Sequence, residues 1–213
     1  MKKVSLLSFF AIALLSSELQ GQIIRSYGIK GGLVRSGQTW DLSQNASGLL
    51  LSNDKVQSIG LGGYIEWMDI PIVSVVTEAN YYHKGSNLGF QSTSVIDPAG
   101  IGVRTVSPWL GYLSLPLMVK IRYDMPLGDI YILGGIRYDI LIDKNRDAEI
   151  LVMNQWKSTD FGYNIGAGIE LPIAFFHNIG IEIRYSTGLQ EIYSSSDISI
   201  KNSATEMLLV FGL

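Results

Sequence analysis

The chain offers few residues for covalent or metal chemistry. His83 and His177 are its only histidines, and it has no cysteine. Without a thiol there is no disulfide framework, thiolate nucleophile or thiolate metal site. Neither histidine has triad or metal-ligand spacing, and no serine is flanked by the base and orienting group that a nucleophile needs. Gly162, Gly166 and Gly168 do not precede a helix, so they form no phosphate-cradling loop. Asp143-Lys-Asn-Arg-Asp147 lacks the glycine and distal glutamate of a calcium loop. We therefore expect no catalytic residue, cofactor or metal, and read the chain as non-enzymatic. What does form a pattern is charge. Lys30, Glu66, Glu78, Lys84, Lys120, Arg122, Arg137, Asp139, Asp160, Glu170, Glu182, Arg184 and Glu206 all fall in one phase of a two-residue alternation, together with most of the strand glycines.

The other phase is apolar. In Phe161 to Leu171, Phe161, Tyr163, Ile165, Ala167, Ile169 and Leu171 alternate with Gly162, Asn164, Gly166, Gly168 and Glu170. A period of two is that of side chains along a strand. Eight such segments are predicted near Ser26 to Val34, Ser58 to Met68, Ile72 to Lys84, Leu110 to Tyr123, Ile130 to Leu141, Thr159 to Leu171, Ile179 to Leu189 and Ser203 to Leu213. Their connections alternate in length. Those at 69–71, 124–129 and 172–178 are short, and those at 35–57, 85–109, 142–158 and 190–202 are long and polar. Short turns at one end and long loops at the other describe an outer-membrane barrel, turns in the periplasm and loops outside. His83 then lies at the loop end and His177 at the turn end, so they share no site.

Residue types give the orientation. A soluble barrel would bury the apolar phase and expose the charges. A membrane barrel does the reverse, since Arg or Lys at the lipid midplane costs about 2–4 kcal/mol. Glycines in the charged phase suit a crowded lumen. Tyr27, Trp67, Tyr81, Tyr123 and Tyr185 sit near the ends of the apolar phase, where interfacial girdles belong. The inward charges nearly balance in sign, and a narrow eight-stranded barrel is filled by its side chains. They are expected to pair as a structural network, because an ion path carries one sign in excess.

Before the first strand stand Lys2 and Lys3, an apolar run from Val4 to Leu15, then Ser16, Ser17, Glu18 and Gln20. This is the order of a secretory signal peptide, too short to span a bilayer as a helix. Residues 1–21 are expected to be the signal and 22–213 one barrel domain. The net charge of -3, with no basic block beyond the first residues, excludes a nucleic-acid partner.

Tyr27-Gly-Ile-Lys-Gly-Gly-Leu33, Thr77 to Gly85, Tyr112-Leu-Ser-Leu-Pro-Leu-Met-Val-Lys120, Phe161 to Leu171 and Glu182 to Leu189 resemble successive strands of the PorT-like outer-membrane β-barrel family of Bacteroidetes, often labelled porin family. The most specific piece is Tyr-Leu-x-Leu-Pro-Leu, because proline inside a strand is uncommon. The resemblance covers the mature chain and implies an all-β, eight-stranded, antiparallel up-and-down barrel in the outer membrane. It implies no reaction. One member is linked to protein secretion, a role these barrel motifs do not carry over. The chain departs from such barrels in ending on Leu213, with Phe211 two places earlier, rather than on an aromatic residue.

The expected role is non-enzymatic: structural, or adhesive or secretion-accessory through the loops. The expected partners are outer-membrane lipid and an envelope or extracellular protein, met through loops 85–109 and 35–57. The alternatives are a narrow small-solute channel and a lipid-modifying enzyme.

Overall fold

A computed structural model describes residues 23–42, 50–68, 70–92, 102–151, 155–173 and 176–213. The expected signal segment 1–21 lies outside the described residues. The elements are β1 (Ile24–Leu42), β2 (Leu50–Trp67), β3 (Val73–Ser92), β4 (Gly102–Val106), β5 (Trp109–Met125), β6 (Gly128–Lys144), α1 (Arg146–Leu151), β7 (Thr159–Ile173), β8 (Phe176–Gly188), β9 (Tyr193–Ser194) and β10 (Ile198–Gly212). Eight long antiparallel strands run in the order β1-β2-β3-β5-β6-β7-β8-β10, and pairing of β1 with β10 closes them into a barrel.

The register fixes its dimensions. A row of partners runs from Trp67 through Val75, Val119, Gly134, Ile165, Tyr185, Thr205 and Arg35, and returns to β2 at Gln57. That ten-residue displacement is the shear of the barrel. With strands about 4.8 Å apart and a rise of about 3.3 Å per residue, it corresponds to a tilt of about 40°. The interior of so narrow a barrel has room for side chains and little else.

The alternation is realised around the wall. On β8, Ile181 and Ile183 are 48% and 57% exposed, while Glu182 and Arg184 between them are 0% and 1% exposed. Ile59, Leu61, Ile132, Ile136, Ile165 and Ile169 point outward in the same way. An apolar exterior around a charged interior is the reverse of a soluble barrel and matches the lipid-facing order. Tyr27, Tyr81, Tyr123 and Tyr185 are exposed on the outer wall.

The strands are longer than the alternation predicts. About 9–11 residues cross a bilayer, yet β1 has 19 residues and β3 has 20. Much of what reads as loop at 35–57 and 85–109 is therefore strand. β1 continues to Leu42 against β10, the outer part of β2 pairs with β3, and Ser92 to Leu88 of β3 pair with β4. Polar composition hid these extensions, because their buried inward positions are filled by polar residues such as Ser36, Gln38 and Ser86, while outward ones such as Arg35, Thr39 and Asp41 are exposed.

Candidate functional site

The sequence-derived charges converge on the barrel axis. Lys30, Glu66, Glu78, Lys84, Lys120, Arg122, Arg137, Asp139, Asp160, Glu170, Glu182, Arg184 and Glu206 are all buried. Period-two strands deliver them there, since each lies on the inward phase of its strand. They form three tiers.

The tier nearest the short turns joins β2, β5 and β7. Lys120 Nζ donates to Glu66 Oε2 at 3.2 Å and Glu170 Oε1 at 2.7 Å. Arg122 pairs with Glu66 and donates to Ser74 Oγ at 3.3 Å. Arg25 approaches Glu66 at 3.7 Å. In the middle tier, Lys30 Nζ donates to Glu78 Oε1 at 2.8 Å and Glu182 Oε2 at 2.9 Å. Arg184 grips Glu78 with two parallel bonds of 2.8 and 3.0 Å, also pairs with Glu182, and stands 3.9 Å from Glu206. The outer tier holds Lys84 donating to Asp139 at 2.6 Å, with Arg137 paired to Asp139 and donating to Asp160 at 3.2 Å. Six cations meet seven carboxylates, so each buried ion has an opposite partner to offset its desolvation. Arg–carboxylate pairs with two parallel bonds are the strongest of these contacts.

Aromatic rings separate the tiers, a feature the sorting of charges missed. Lys120 Nζ lies 4.0 Å from the Tyr131 ring centroid, and the Tyr131 hydroxyl donates to Glu182 at 2.8 Å. Lys30 stands over Tyr64, and Lys84 over Tyr82 and Tyr112. The signal was available: these tyrosines share the parity of the charges beside them, as Tyr64 does with Glu66. Space for the long side chains comes from facing glycines. A Cβ on Gly162 would meet the Arg137 guanidinium at 2.9 Å, and one on Gly168 would meet the Tyr131 ring at 2.4 Å. Between the middle and outer tiers remains a void of about 10 Å³, lined by Lys30, Asn80, Tyr82 and Glu206 among others. That is roughly the room of one water.

Above the outer tier an apolar cap closes the mouth. Leu110, Tyr112, Ala148, Trp156, Ile192 and Ile200 are buried together, with Trp40, Leu141, Tyr193 and Ile198 packed against them. Trp156 Nε1 donates to the Ala148 carbonyl at 2.7 Å. Asn145 positions α1: its Oδ1 accepts from the Ala148 amide at 3.0 Å as a helix cap, and from the Trp109 amide at 3.1 Å. The Asp143 to Asp147 run is thus a helix start, and the described residues hold no cluster of metal-ligating type. At the opposite end the lumen opens into a vestibule of about 240 Å³.

The two histidines are held apart. His83 lies near the outer end of β3, stacked on Trp109 with centroids 4.2 Å apart, and its Nε2 is 2.9 Å from the Tyr81 hydroxyl. His177 begins β8 at the other end of the barrel, and its side chain lies outside the described residues.

The family described as outer membrane protein beta-barrel domain matches residues 26–194. No curated protein matches the chain. Among solved structures, the chain is similar to Ail, the attachment invasion locus protein of Yersinia pestis, at 14% identity and TM-score 0.42, over 88% of this chain and 98% of that one. It is similar to OprG of Pseudomonas aeruginosa at 12% identity and TM-score 0.45, over 91% and 96%. It is also similar to the Neisserial surface protein A at 7% identity and TM-score 0.46, over 87% and 96%.

Proposed function

We propose, on the premise that this chain belongs to the outer membrane protein beta-barrel domain family and resides in the outer membrane, that it conducts no solute and catalyses no reaction. Its role is to hold an extracellular arm in place for an envelope or extracellular protein. The single observation that carries this reading is the filled lumen. Three tiers of paired charges occupy the axis, and an apolar cap lies over the outermost. The working surface is then the part beyond the membrane: the outer ends of β1, β2 and β3, with β4, at 35–57 and 85–109. We also take the chain to be of the PorT-like kind found in Bacteroidetes, on the strand motifs of Tyr112 to Lys120 and Phe161 to Leu171, with residues 1–21 as its export signal.

The test is conductance of the full chain in planar bilayers. No stable open state is expected. Steady conductance would favour the narrow channel instead, and hydrolysis of outer-membrane lipid would favour an enzyme. Partner capture from native membranes, compared between the full chain and one with the 85–109 segment shortened, tests the arm directly.

A further inference from the structure

The outer wall changes character where β10, β1 and β2 leave the lipid. Met207, Leu33 and Ile59 form one row across these strands and are 54%, 58% and 76% exposed. The next outward-facing row toward the loops is Tyr185, Thr205, Arg35 and Gln57, in which Tyr185 belongs to the interfacial girdle. Beyond it, Gly37 lies opposite Ser203, and Thr39 lies opposite Lys201. Lys55 of β2 leans across this stretch of β1. A Cβ on Gly37 would stand 3.0 Å from Lys55 Cγ, so the glycine leaves a seat for the lysine stem.

Arg35, Lys55 and Lys201 thus gather on three adjacent strands at the lipid boundary. Arg35 and Lys55 are exposed, and neither forms an ion pair among the described residues. No described carboxylate shares these rows. Asp54 falls on the opposite phase of β2, Asp41 lies one row farther out opposite Ser199, and Glu191, near Lys201, is held by Ser194 and Ser199. Like charges on neighbouring strands repel unless an opposite charge answers them. From the Arg35 row to the Lys201 row is about 13 Å along the strand, at about 3.3 Å per residue. Exposed Thr205, Gln57 and Thr39 place neutral hydrogen-bonding groups among the cations. Such a mixture, with an apolar row directly beneath it, suits an amphiphile whose head carries both phosphate and hydroxyl groups.

We propose that this corner of the wall is a binding site for a phosphorylated glycolipid of the outer leaflet. Arg35 and Lys55 hold a phosphate, with Lys201 as the outermost cation. Thr205, Gln57 and Thr39 meet the sugar hydroxyls, and the acyl chains lie along Leu33, Ile59 and Met207. Guanidinium and ammonium groups form charge-assisted bonds with phosphate, and basic residues beside a membrane surface attract anionic lipid. The proposal rests on the outer-membrane location and not on a protein partner for the arm.

The experiment titrates the full chain, folded in zwitterionic micelles, with lipid A carrying its phosphates, with the same lipid dephosphorylated, and with phosphatidylglycerol. Bound lipid is counted by native mass spectrometry. The phosphorylated glycolipid is expected to bind at least about tenfold tighter than the dephosphorylated one, and tighter than phosphatidylglycerol. The double variant Arg35→Gln, Lys55→Gln is expected to lose that preference and bind the dephosphorylated lipid as the parent does. Arg146→Gln, a basic residue of α1 outside the patch, is expected to keep it. Folding of the variants is checked by heat-modifiable gel mobility. Equal affinity with and without phosphate, a double variant that still discriminates, or an equal loss in Arg146→Gln would overturn the site. Equal binding of phosphatidylglycerol would overturn the sugar headgroup, and displacement of the lipid by millimolar inorganic phosphate would reduce the site to one for a free ion.

Discussion

Lys30 and Glu182 lie 152 positions apart in the chain, yet their charged ends meet at 2.9 Å in the middle of the barrel. β1 carries the lysine and β8 the glutamate, so only closure of β1 on β10 brings them together. The pair is therefore a reporter of closure. Lys30 also holds Glu78 of β3, so one ammonium ties three strands across the axis.

Removing that ammonium leaves two buried carboxylates sharing Arg184. Lys30→Met is expected to destabilise the barrel by about 3–5 kcal/mol, the usual cost of breaking a buried pair from one side. Adding Glu182→Gln to it should cost less than the sum of the two single changes, because both remove the same interaction. Urea unfolding in lipid vesicles, followed by tryptophan fluorescence, measures both. Additive costs would mean that the two residues are not coupled.

Gly168 makes room for the Tyr131 ring, whose terminal atoms lie 2.4 Å from where a Cβ would stand. Gly168→Val should push the ring off its bond to Glu182 and cost about 1–3 kcal/mol by overpacking. Tyr131→Ala made in the Gly168→Val background should recover part of that loss. The same unfolding assay reads both steps.

The sequence carried the wall of this barrel and the direction of its faces because lipid and lumen impose opposite demands on neighbouring residues. Ile181 and Glu182 could not exchange places without a penalty on both sides. The inward placement of the charges followed from the same parity. The pairings did not, because which cation meets which carboxylate depends on the ten-residue shear, and shear leaves no mark on any single strand. The outer ends of β1 to β3 were also illegible, since beyond the lipid their buried inward positions include polar residues such as Ser36, Gln38 and Ser86, so burial there left little apolar alternation. The signal of the cap was the set of large apolar residues inside polar stretches: Trp40, Trp156, Ile192, Tyr193, Ile198 and Ile200.

Trp156 anchors that cap, being buried, bonded to the Ala148 carbonyl and edge-on to Tyr193 with centroids 6.2 Å apart. Trp156→Ala should remove about 3–5 kcal/mol of local packing. The loss should appear as faster amide exchange in α1 and around Ile192, with the transmembrane strands still protected. Exchange spreading into β5 and β6 would show instead that the cap and the barrel unfold as one unit.

At the opposite end, Asp124 and Asp129 face each other across the β5–β6 turn. Partial burial, and then the neighbouring Asp124 carboxylate, push the pKa of the Asp129 carboxyl up from its ordinary value. Its folded pKa thus exceeds the unfolded one, so the unfolded chain gives up this proton first as pH rises. Stability is unaffected at low pH, where both states are protonated. It falls as pH climbs through the unfolded and then the folded pKa. Asp129→Asn removes that loss. The variant should match the parent in acid and exceed it in urea resistance at neutral pH, with the gain appearing across the carboxylate range. A gain of the same size in acid would trace the effect to packing of the turn rather than to charge.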